Sequence, residues 1–304
     1  MKPSLAPERG RPAGGGRAGE SRGDVITSRD NKWLKMFRAA LRGNGPDEGE
    51  PIGVEGPKQV EDALRSGLVA EALLVSETGE REIEPILRAA AESDAGIPRA
   101  RILRTTDSLF ASVAGTEAPQ GVAALFHQRQ WDFEDVLRGA GVMRENAPLV
   151  VVLAAVQDPG NVGTIVRSAE AFGATGVVAT RGTADPWSPK ALRASAGSAL
   201  RIPMLRGIAI PVLLAQLRIQ QVKILAAGAQ GESEADPARW NAGERAAIFI
   251  GNEGTGLPAE VEHAADAKIS IPMSDAVESL NAGVAASVLL YEFARQRRLA
   301  ATNF

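Results

Sequence analysis

The strongest constraint on the fold is a run of nine residues, PLVVVLAAV, at positions 148–156. The run shows no alternation of apolar and polar residues, which is typical of a parallel strand buried on both faces of a sheet. Shorter apolar runs recur downstream, and stretches of mixed polarity separate them. The pattern predicts a parallel α/β sheet. Its strands are expected at 148–156, 177–179, 202–205, 222–226, 247–250 and 269–271, and its helices at 162–172, 190–200, 210–220, 258–265 and 280–298.

The first part of the 304-residue chain repeats this alternation on a smaller scale. Residues 25–127 predict a small α/β unit, and the polar, mixed residues 128–147 predict a linker with some helix. Residues 1–24 contain no apolar stretch, so they predict a disordered tail rather than a secretory signal. The second unit then comprises residues 148–304. Within the first unit, helices are expected at 29–41, 57–64, 83–91 and 108–113, and strands at 52–55, 72–75, 102–103 and 122–126.

Composition excludes several kinds of chemistry. The chain has no cysteine, and its two histidines, His127 and His263, lie far apart, so we expect no disulfide, no thiolate nucleophile and no metal site. Aromatic residues make up 4% of the chain, which makes a stacking platform for single-stranded nucleic acid hard to build. No segment has the roughly 18–20 continuous apolar residues of a membrane span. We therefore expect a cytoplasmic protein with no membrane partner.

Charge is distributed unevenly along the chain. The formal net charge is −3, from 34 Lys and Arg against 37 Asp and Glu. Between Arg181 and Arg206, however, five basic residues face one acidic residue, Asp185, which gives a local charge of +4. Such a field would attract a phosphate-bearing partner if the side chains share a face. The alternative is a solvated helix face. The basic residues between those two arginines are Lys190, Arg193 and Arg201.

Three polar segments follow predicted strands of the second unit, where open α/β sheets bind ligands. The first is Asp158-Pro-Gly-Asn-Val-Gly-Thr-Ile-Val-Arg167. Its Asp-Pro-Gly turn leaves the buried strand, and Asn161 is predicted to cap the following helix. Arg167 offers a guanidinium fork that suits phosphate or carboxylate. The alternative is a capped helix with an exposed arginine.

The second segment is Gly251-Asn-Glu-Gly-Thr-Gly256, which follows the strand at 247–250. Its three glycines let a ligand approach the main chain closely. No lysine follows the last glycine, so it is not a Walker loop, and its spacing differs from the dinucleotide fingerprint.

The third segment runs from Ile271 through Ser279, Leu280 and Asn281 into the small residues that begin the final helix. Ser279 or Asn281 is expected at the mouth of that helix, where backbone N–H groups are unpaired. Along the helix, the side chains predicted to be available for packing are Val284, Ser287, Val288, Tyr291 and Phe293. The alternative is an N-capped amphipathic helix without a site.

Together, in this order and spacing, the three segments resemble the signature motifs of the SpoU family of RNA ribose 2′-O-methyltransferases. The segment SPKALRASAGSALRIP at 188–203 resembles the family's helix between the first and second motifs. The resemblance covers 148–298 closely. It covers 26–127 loosely, through Ser28, Asn31 and Val54-Glu-Gly-Pro-Lys-Gln-Val60, which look like the ribosomal-protein-like substrate-binding domain of family members. One departure is the acidic stretch at 46–50, where members often carry basic residues.

The resemblance implies a fold, a cofactor and a reaction. The fold would be an α/β catalytic domain tied in a trefoil knot, which sequence physics would not propose because knots are rare. It implies a homodimer with the final helix near the interface, and methyl transfer from S-adenosylmethionine to a ribose 2′-hydroxyl. Main-chain groups in the knot would hold the cofactor. The implied cofactor-binding residues are Gly251, Asn252, Gly256, Ile271 and Leu280.

By the same resemblance Arg167 is the central catalytic residue, held with Asn161, Glu253, Ser279 and Asn281. A guanidinium gives up its proton with difficulty, so two roles stay open. Either a substrate phosphate helps Arg167 accept the hydroxyl proton, or Arg167 only orients phosphate and hydroxyl. The candidate RNA-backbone contacts are Lys190, Arg193 and Arg201.

Two other function classes stay open. One is an α/β enzyme with a different nucleotide cofactor bound at residues 251–256, although the glycine spacing argues against it. The other is a non-catalytic RNA-binding protein that retains the fold, although the intact motif residues argue against decay of the site. The small first unit favours a large structured RNA, ribosomal rather than transfer RNA, as the partner.

Overall fold

The computed structural model describes residues 24–93, 101–139, 147–228, 240–274 and 279–302. Most of the predicted tail at 1–24 and part of the predicted linker lie outside these residues. The described residues form two sheets that follow one another along the chain. No helix in these ranges is both long and apolar enough to cross a membrane.

The first sheet has five strands in the order β1-β4-β3-β5-β2. Strand β1 pairs parallel with β4 and β4 with β3, whereas β5 runs antiparallel to both β3 and β2. Asp24 belongs to β1, so the first unit begins one residue earlier than predicted. The elements are β1 Asp24–Val25, α1 Lys32–Arg42, β2 Ile52–Glu55, α2 Pro57–Arg65, β3 Ala70–Ser76, α3 Ile83–Glu92, β4 Arg101–Thr105, α4 Asp107–Ala111 and β5 Val122–Phe126.

The second sheet has six strands, all parallel, in the order β11-β9-β10-β6-β7-β8. A short helix from the predicted linker region, α5, packs against this sheet. The elements are α5 Phe133–Arg138, β6 Leu149–Leu153, α6 Pro159–Ala171, β7 Gly176–Thr180, α7 Pro189–Ser195, β8 Met204–Ile208, α8 Ile210–Ile219, β9 Lys223–Ala227, β10 Ala246–Ile250, α9 Ala259–Ala264, β11 Ala267–Ile269 and α10 Ala282–Thr302.

Strand β6 is buried on both faces, as its unbroken apolar run predicts. Leu149, Val151 and Leu153 point into one cluster of buried side chains. Val150 and Val152 point into a second cluster on the opposite face. All five side chains are fully buried, which confirms the prediction of a central parallel strand.

The predicted helix at 190–200 is wrong in its second half. Helix α7 ends at Ser195, because Ala196 and Gly197 adopt left-handed conformations with φ of 48° and 83°. A short 3-10 turn at Ser198–Leu200 follows. Glycine accepts a positive φ without strain, so Gly197 allows the chain to turn here. The indole N–H of Trp187 donates to the carbonyl of Ala199 at 3.0 Å and holds the turn in place.

Two predicted strands are shifted along the chain. The strand expected at 202–205 lies at Met204–Ile208, and the one expected at 269–271 lies at Ala267–Ile269. Asp266 explains the second shift: its N–H donates to the carbonyl of Ile224, and its carboxylate accepts from the N–H of Ile224, both at 2.8 Å. These bonds start β11 two residues earlier than its apolar pattern suggests.

The packing residues predicted for the last helix are only partly right. The hydroxyl groups of Ser287 and Ser168 lie 2.7 Å apart, and the Tyr291 ring meets that of Phe172 edge-on. Phe293 is fully buried as predicted, but Val284, Val288 and Tyr291 are 48%, 42% and 51% exposed. The helical period of 3.6 residues places these three on the side opposite the buried face. The buried residues of α10 are Ala282, Ala286, Leu289, Leu290, Phe293 and Ala294.

Helix α6 packs so closely on α7 that Gly163 has no room for a side chain. A Cβ at Gly163 would lie 2.3 Å from the carbonyl oxygen of Ala191 and 2.6 Å from the Cβ of Ala194. Because the nearest atom belongs to the backbone, the two helices would have to separate. This contact fixes the position of α6, which carries the first polar segment.

We therefore expect Gly163→Ala to lower the free energy of unfolding by about 1–3 kcal/mol, as overpacking does, although alanine is the better helix former. Urea titration followed by circular dichroism measures it. Gly254→Ala is the control, because only a side-chain oxygen of Asn252, at 3.6 Å, lies near the added carbon. A Gly163→Ala protein as stable as this control would contradict the close packing.

Candidate active site

The site lies where the chain leaves β6 and β10. The two strands are parallel neighbours, so their carboxyl ends meet at one edge of the sheet. Strands β7 and β8 continue the sheet on one side of β6, and β10, β9 and β11 lie on the other. This reversal of strand order is where open α/β sheets bind ligands. The side-chain amide of Asn252, after β10, donates to the carbonyl of Ala155, after β6, at 3.0 Å and joins the two loops.

Asp158, not Asn161, caps helix α6. The Asp158 carboxylate accepts a hydrogen bond from the N–H of Asn161 at 3.1 Å, and Asn161 is already the third residue of the helix. The prediction that Asn161 is the cap is therefore wrong. Its side chain is instead free for contacts across the sheet edge. The Lys190 ammonium, 2.5 Å from the Asp158 carboxylate, lowers the pKa of that carboxyl, and amide hydrogen bonds assist against a smaller effect of burial.

Asn161, Glu253 and Asn281, which come from the three polar segments, form one hydrogen-bond network. The side-chain N–H of Asn161 donates to the Glu253 carboxylate at 2.7 Å. The amide of Asn281 donates to the side-chain oxygen of Asn161 at 3.0 Å. The side-chain oxygen of Asn281 also accepts from the N–H groups of Gly283 and Val284, at 2.9 and 3.3 Å. Of the two residues predicted at the mouth of the helix, Ser279 and Asn281, it is therefore Asn281 that caps α10.

The glycine segment after β10 closes into a tight loop. The backbones of Asn252 and Gly256 exchange two hydrogen bonds of 3.0 Å each. The Asn252 side-chain oxygen accepts from the N–H groups of Gly254 and Thr255 at 2.9 and 3.0 Å. A Cβ at Gly251 would lie 2.6 Å from the Gly256 carbonyl carbon, so this position excludes any side chain. At Gly251 the missing side chain therefore serves a contact within the loop, and the approach of a ligand to this main chain stays a prediction.

A cavity of about 290 Å³ opens beside this loop. It lies between the ends of β9, β10 and β11 and the start of α10. All five residues predicted to hold a cofactor line it, and so do Glu253 and Ser279 from the predicted catalytic set. The lining residues are Ala227, Gly228, Ile250, Gly251, Asn252, Glu253, Gly256, Leu257, Glu262, Ile269, Ile271, Met273, Ser279, Leu280, Ala282, Ala285 and Leu289.

Sequence reasoning missed part of this lining. Gly228 directly follows β9, a buried strand that neighbours β10, and a glycine at such a strand end is a usable signal. Glu262 on α9 has no such signal, because it reads as one more acid of an exposed helix. Among the described residues, Glu253 and Glu262 are the charged side chains of the cavity, and both are acidic. Such a lining favours an organic ligand with a positive charge.

Comparison with known proteins decides the family. The SpoU rRNA Methylase family matches residues 148–291, and the MRM3-like substrate binding domain matches residues 47–124. RlmP of Bacillus subtilis, named a 23S rRNA (guanosine(2553)-2′-O)-methyltransferase, is 34% identical over 239 residues, which are 78% of this chain and 86% of that protein. The uncharacterized tRNA/rRNA methyltransferase slr1673 of Synechocystis is 33% identical over 91% of this chain and 96% of its own length.

The chain belongs to the SpoU rRNA methylase family. Solved structures of methyltransferases have a fold similar to that of this chain. The AdoMet-bound rRNA methyltransferase of Sinorhizobium meliloti matches with a TM-score of 0.73 at 28% identity, over 90% of this chain and 97% of that one. The methyltransferase AviRb of Streptomyces viridochromogenes, in complex with AdoMet, matches with a TM-score of 0.74 at 25% identity, over 88% and 98%. The trefoil knot stays a prediction.

In this SpoU-family chain, Arg167 takes no part in the hydrogen-bond network of Asn161, Glu253 and Asn281. It is exposed on α6, six residues after Asn161, and does not line the cavity. Within the described ranges its exposed guanidinium has no hydrogen-bond or ion-pair partner. It is therefore available to an external anion.

Most of the basic residues of the +4 segment are already paired. Arg201 forms two hydrogen bonds to Glu170, of 2.7 and 2.6 Å, which raise the pKa of its guanidinium against an opposing effect of burial. Arg206 pairs with Asp185, and Lys190 with Asp158. Glu170 and Asp158 lie outside the segment, so counting charge within it overstates the field. Arg193 alone of the three candidate RNA contacts is exposed without an ion-pair partner in the described part of the chain.

Asp158 generates a prediction that depends on pH. Its lowered pKa means that its contribution to folding is present above the unfolded-state pKa of about 3.9 and is lost as the pH falls through the lower folded-state value. Asp158→Ala should lower the free energy of unfolding by about 1 kcal/mol at pH 7 through the lost cap. The difference from the wild type should shrink below pH 4.

Asp158→Asn is the matched control, because an asparagine side chain still accepts the bond from the N–H of Asn161 but carries no charge for Lys190. Its loss at pH 7 should be smaller than that of the alanine variant. Denaturant titrations at pH 7, 5 and 3.5 compare the three proteins. A difference that stays constant with pH would contradict the assignment.

Proposed function

We propose that the chain transfers the methyl group of S-adenosylmethionine to a ribose 2′-hydroxyl of ribosomal RNA at the edge of the second sheet. As a member of the SpoU family it is an RNA methyltransferase, and S-adenosylmethionine is its methyl donor. Support for the site comes from one observation above all: the network of Asn161, Glu253 and Asn281 lies beside a cavity suited to a cationic cofactor. This family membership favours catalysis with this cofactor over another nucleotide-dependent enzyme or a non-catalytic RNA binder.

The cavity fits the cofactor by its chemistry. S-adenosylmethionine supplies a methyl group on a positively charged sulfur. Gly251, Asn252 and Gly256 line the cavity and would contact its adenosine part. The N–H groups of Asn252 and Gly256 already bond within the loop, so the carbonyl oxygens, which can accept a second hydrogen bond, are the main-chain groups left for it. Ile271 and Leu280 would close the cavity over it. The acidic side chains of Glu253 and Glu262 favour the positive charge.

Arg167 is proposed as the residue that fixes the RNA. Its planar guanidinium can donate two parallel N–H bonds to a phosphate. Because the group is exposed and unpaired in the described structure, both donors are available. We propose that it holds the phosphate next to the target ribose and so aims the 2′-hydroxyl at the cavity. Correct placement of two reactants supplies much of the rate of such a transfer. The side of the site that faces the cofactor would be held by Asn161, Glu253, Ser279 and Asn281.

Arg167→Ala should lower methyl transfer by roughly 10²–10³-fold, the usual cost of removing one such contact, and leave cofactor affinity unchanged. The substrate is ribosomal RNA from cells that lack the protein, and the label is a tritiated methyl group. Calorimetry with S-adenosylhomocysteine checks the cavity separately. Arg167→Lys keeps the charge but not the fork, so it should recover only part of the activity. Turnover of Arg167→Ala near that of the wild type would overturn the role.

The exposed face of α10 supports a homodimer as part of the same proposal. Val284, Val288 and Tyr291 are spaced by four and three residues and lie on one side of the helix, all large and exposed. Apolar side chains gathered on one exposed face mark an interface. We propose that a second copy of the chain covers them. A ribosomal substrate is consistent with the cytoplasmic location that the sequence predicts.

Val288→Asp should therefore convert the dimer into a monomer, because a carboxylate would be buried without a partner at the centre of that face. Sedimentation equilibrium over a range of concentrations measures it. Val212→Asp is the control, since Val212 is 54% exposed but lies on α8. Unchanged association of Val288→Asp, or equal dissociation of both variants, would contradict the interface.

A further inference from the structure

A second, larger opening of about 730 Å³ lies between the two units. From the first unit, the end of α1 with Gly43 and Asn44 forms one wall, together with residues 114–117 after α4. From the second unit, the start of α7 and Pro159 of α6 form the other. We name this opening the inter-unit cleft. Its lining residues are Leu41, Arg42, Gly43, Asn44, Ala114, Gly115, Thr116, Glu117, Pro159, Ala184, Asp185, Ser188, Pro189, Lys190 and Arg193.

Two guanidinium groups face the cleft from opposite walls without a carboxylate partner in the described structure. Arg42 donates only to backbone carbonyls, those of Ala114 at 2.7 Å and Ala111 at 3.0 Å, which fix the side chain but leave its charge uncompensated. Arg193 on α7 is exposed and has no ion pair within the described ranges. Uncompensated arginines on both sides favour an extended anion that spans the two units.

The other charged groups of the cleft are mostly neutralised. Lys190 pairs with Asp158, and Asp185 pairs with Arg206. Glu117 is exposed and has no ion-pair partner in the described part of the chain. The exposed uncharged side chains are polar, those of Asn44 and Thr116. The cleft thus offers guanidinium groups for a phosphate and polar side chains for hydrogen bonds. Glu117 in its lining opposes anion binding, and so does Glu55, whose carboxylate accepts hydrogen bonds from Gly115 and Thr116 of the wall.

The cleft adjoins the proposed active site. Pro159, which lines it, is the first residue of α6, and Asn161 follows two residues later. Asp158 contacts both regions, since it binds Lys190 of the cleft wall and the N–H of Asn161. The cleft and the hydrogen-bond network therefore meet at the first turn of α6.

We infer that the inter-unit cleft binds the phosphodiester backbone of the RNA next to the target nucleotide, with Arg42 contacting it from the first unit and Arg193 from the second. This rests on the proposed function. The cleft makes substrate choice a property of both units together, because neither wall alone presents both guanidinium groups. Binding there would hold the target ribose at the sheet edge without help from aromatic stacking.

The Glu117→Gln variant tests this inference, because it should bind RNA more tightly than the wild type. Glu117 is the exposed, unpaired carboxylate among the residues that line the cleft, and removing its charge should raise the affinity for ribosomal RNA about two- to five-fold, as expected for one exposed charge contact. It should leave the affinity for S-adenosylhomocysteine unchanged. Glu77→Gln is the matched control, an exposed glutamate of the same unit outside the cleft. No gain, or an equal gain in both variants, would overturn the inference, and a loss of folding cannot imitate a gain.

A blocked cleft provides the second test. Because the chain has no cysteine, a single introduced thiol is the only target for a bulky maleimide. Labelled Asn44→Cys should bind ribosomal RNA at least ten-fold more weakly than the unlabelled variant and bind S-adenosylhomocysteine equally well. Labelled Val212→Cys, on α8 outside the cleft, should behave as the wild type.

The outcomes separate the two proposals. If the wild type methylates ribosomal RNA but neither Glu117→Gln nor the labelled Asn44→Cys changes RNA binding, the cleft inference fails and the proposed function stands. If the wild type neither binds the cofactor product nor methylates any RNA, the proposed function fails and the cleft inference falls with it.

Discussion

The parallel pairing of β6 with β10 is the contact on which the rest of the site depends. Its register sets Leu149 opposite Ala246 and Leu153 opposite Ile250, so both strands end level with each other. Residues nearly a hundred positions apart in the chain then leave the sheet side by side. The bond from Asn252 to Ala155 and the bond from Asn161 to Glu253 are both consequences of that alignment. A slip in register would separate all four residues, whatever the quality of the individual motifs.

Sequence reasoning succeeded where one local signal dominated and failed where a partner came from elsewhere in the chain. The apolar run at 148–156 is enough to place β6, because an unbroken run of this kind is typical of a parallel strand buried on both faces. The cap of α6 was misassigned because Asp158 and Asn161 are both good capping residues, and only their geometry shows which carboxylate or amide reaches the free N–H groups. Val284 and Val288 of α10 face away from the core although they are apolar, because apolar character alone does not fix the phase of a helix.

Charge showed the same limit. The positive segment at 181–206 looked like an anion site because a window along the chain cannot include Glu170 or Asp158, which neutralise two of its members. In the folded protein, the charged side chains instead differ from one region to another. Carboxylates line the cavity proposed for a cationic cofactor, and unpaired guanidinium groups lie outside it, at Arg167 and in the inter-unit cleft. This separation suits the two ligands of opposite charge that we propose, the cationic cofactor and the RNA phosphates.

Asp158 is the point at which these regions meet. Through its carboxylate it holds the first turn of α6, which aims Asn161 at Glu253, and it also holds Lys190 on the wall of the cleft. An RNA phosphate near Lys190 would compete for the same ammonium group and weaken its hold on Asp158. Such competition would also change the position of Asn161, because its N–H donates to Asp158 and a cap moves together with the first turn of its helix. The side chain that sequence alone presents as part of a simple turn therefore joins the region proposed to bind RNA to the network proposed for catalysis.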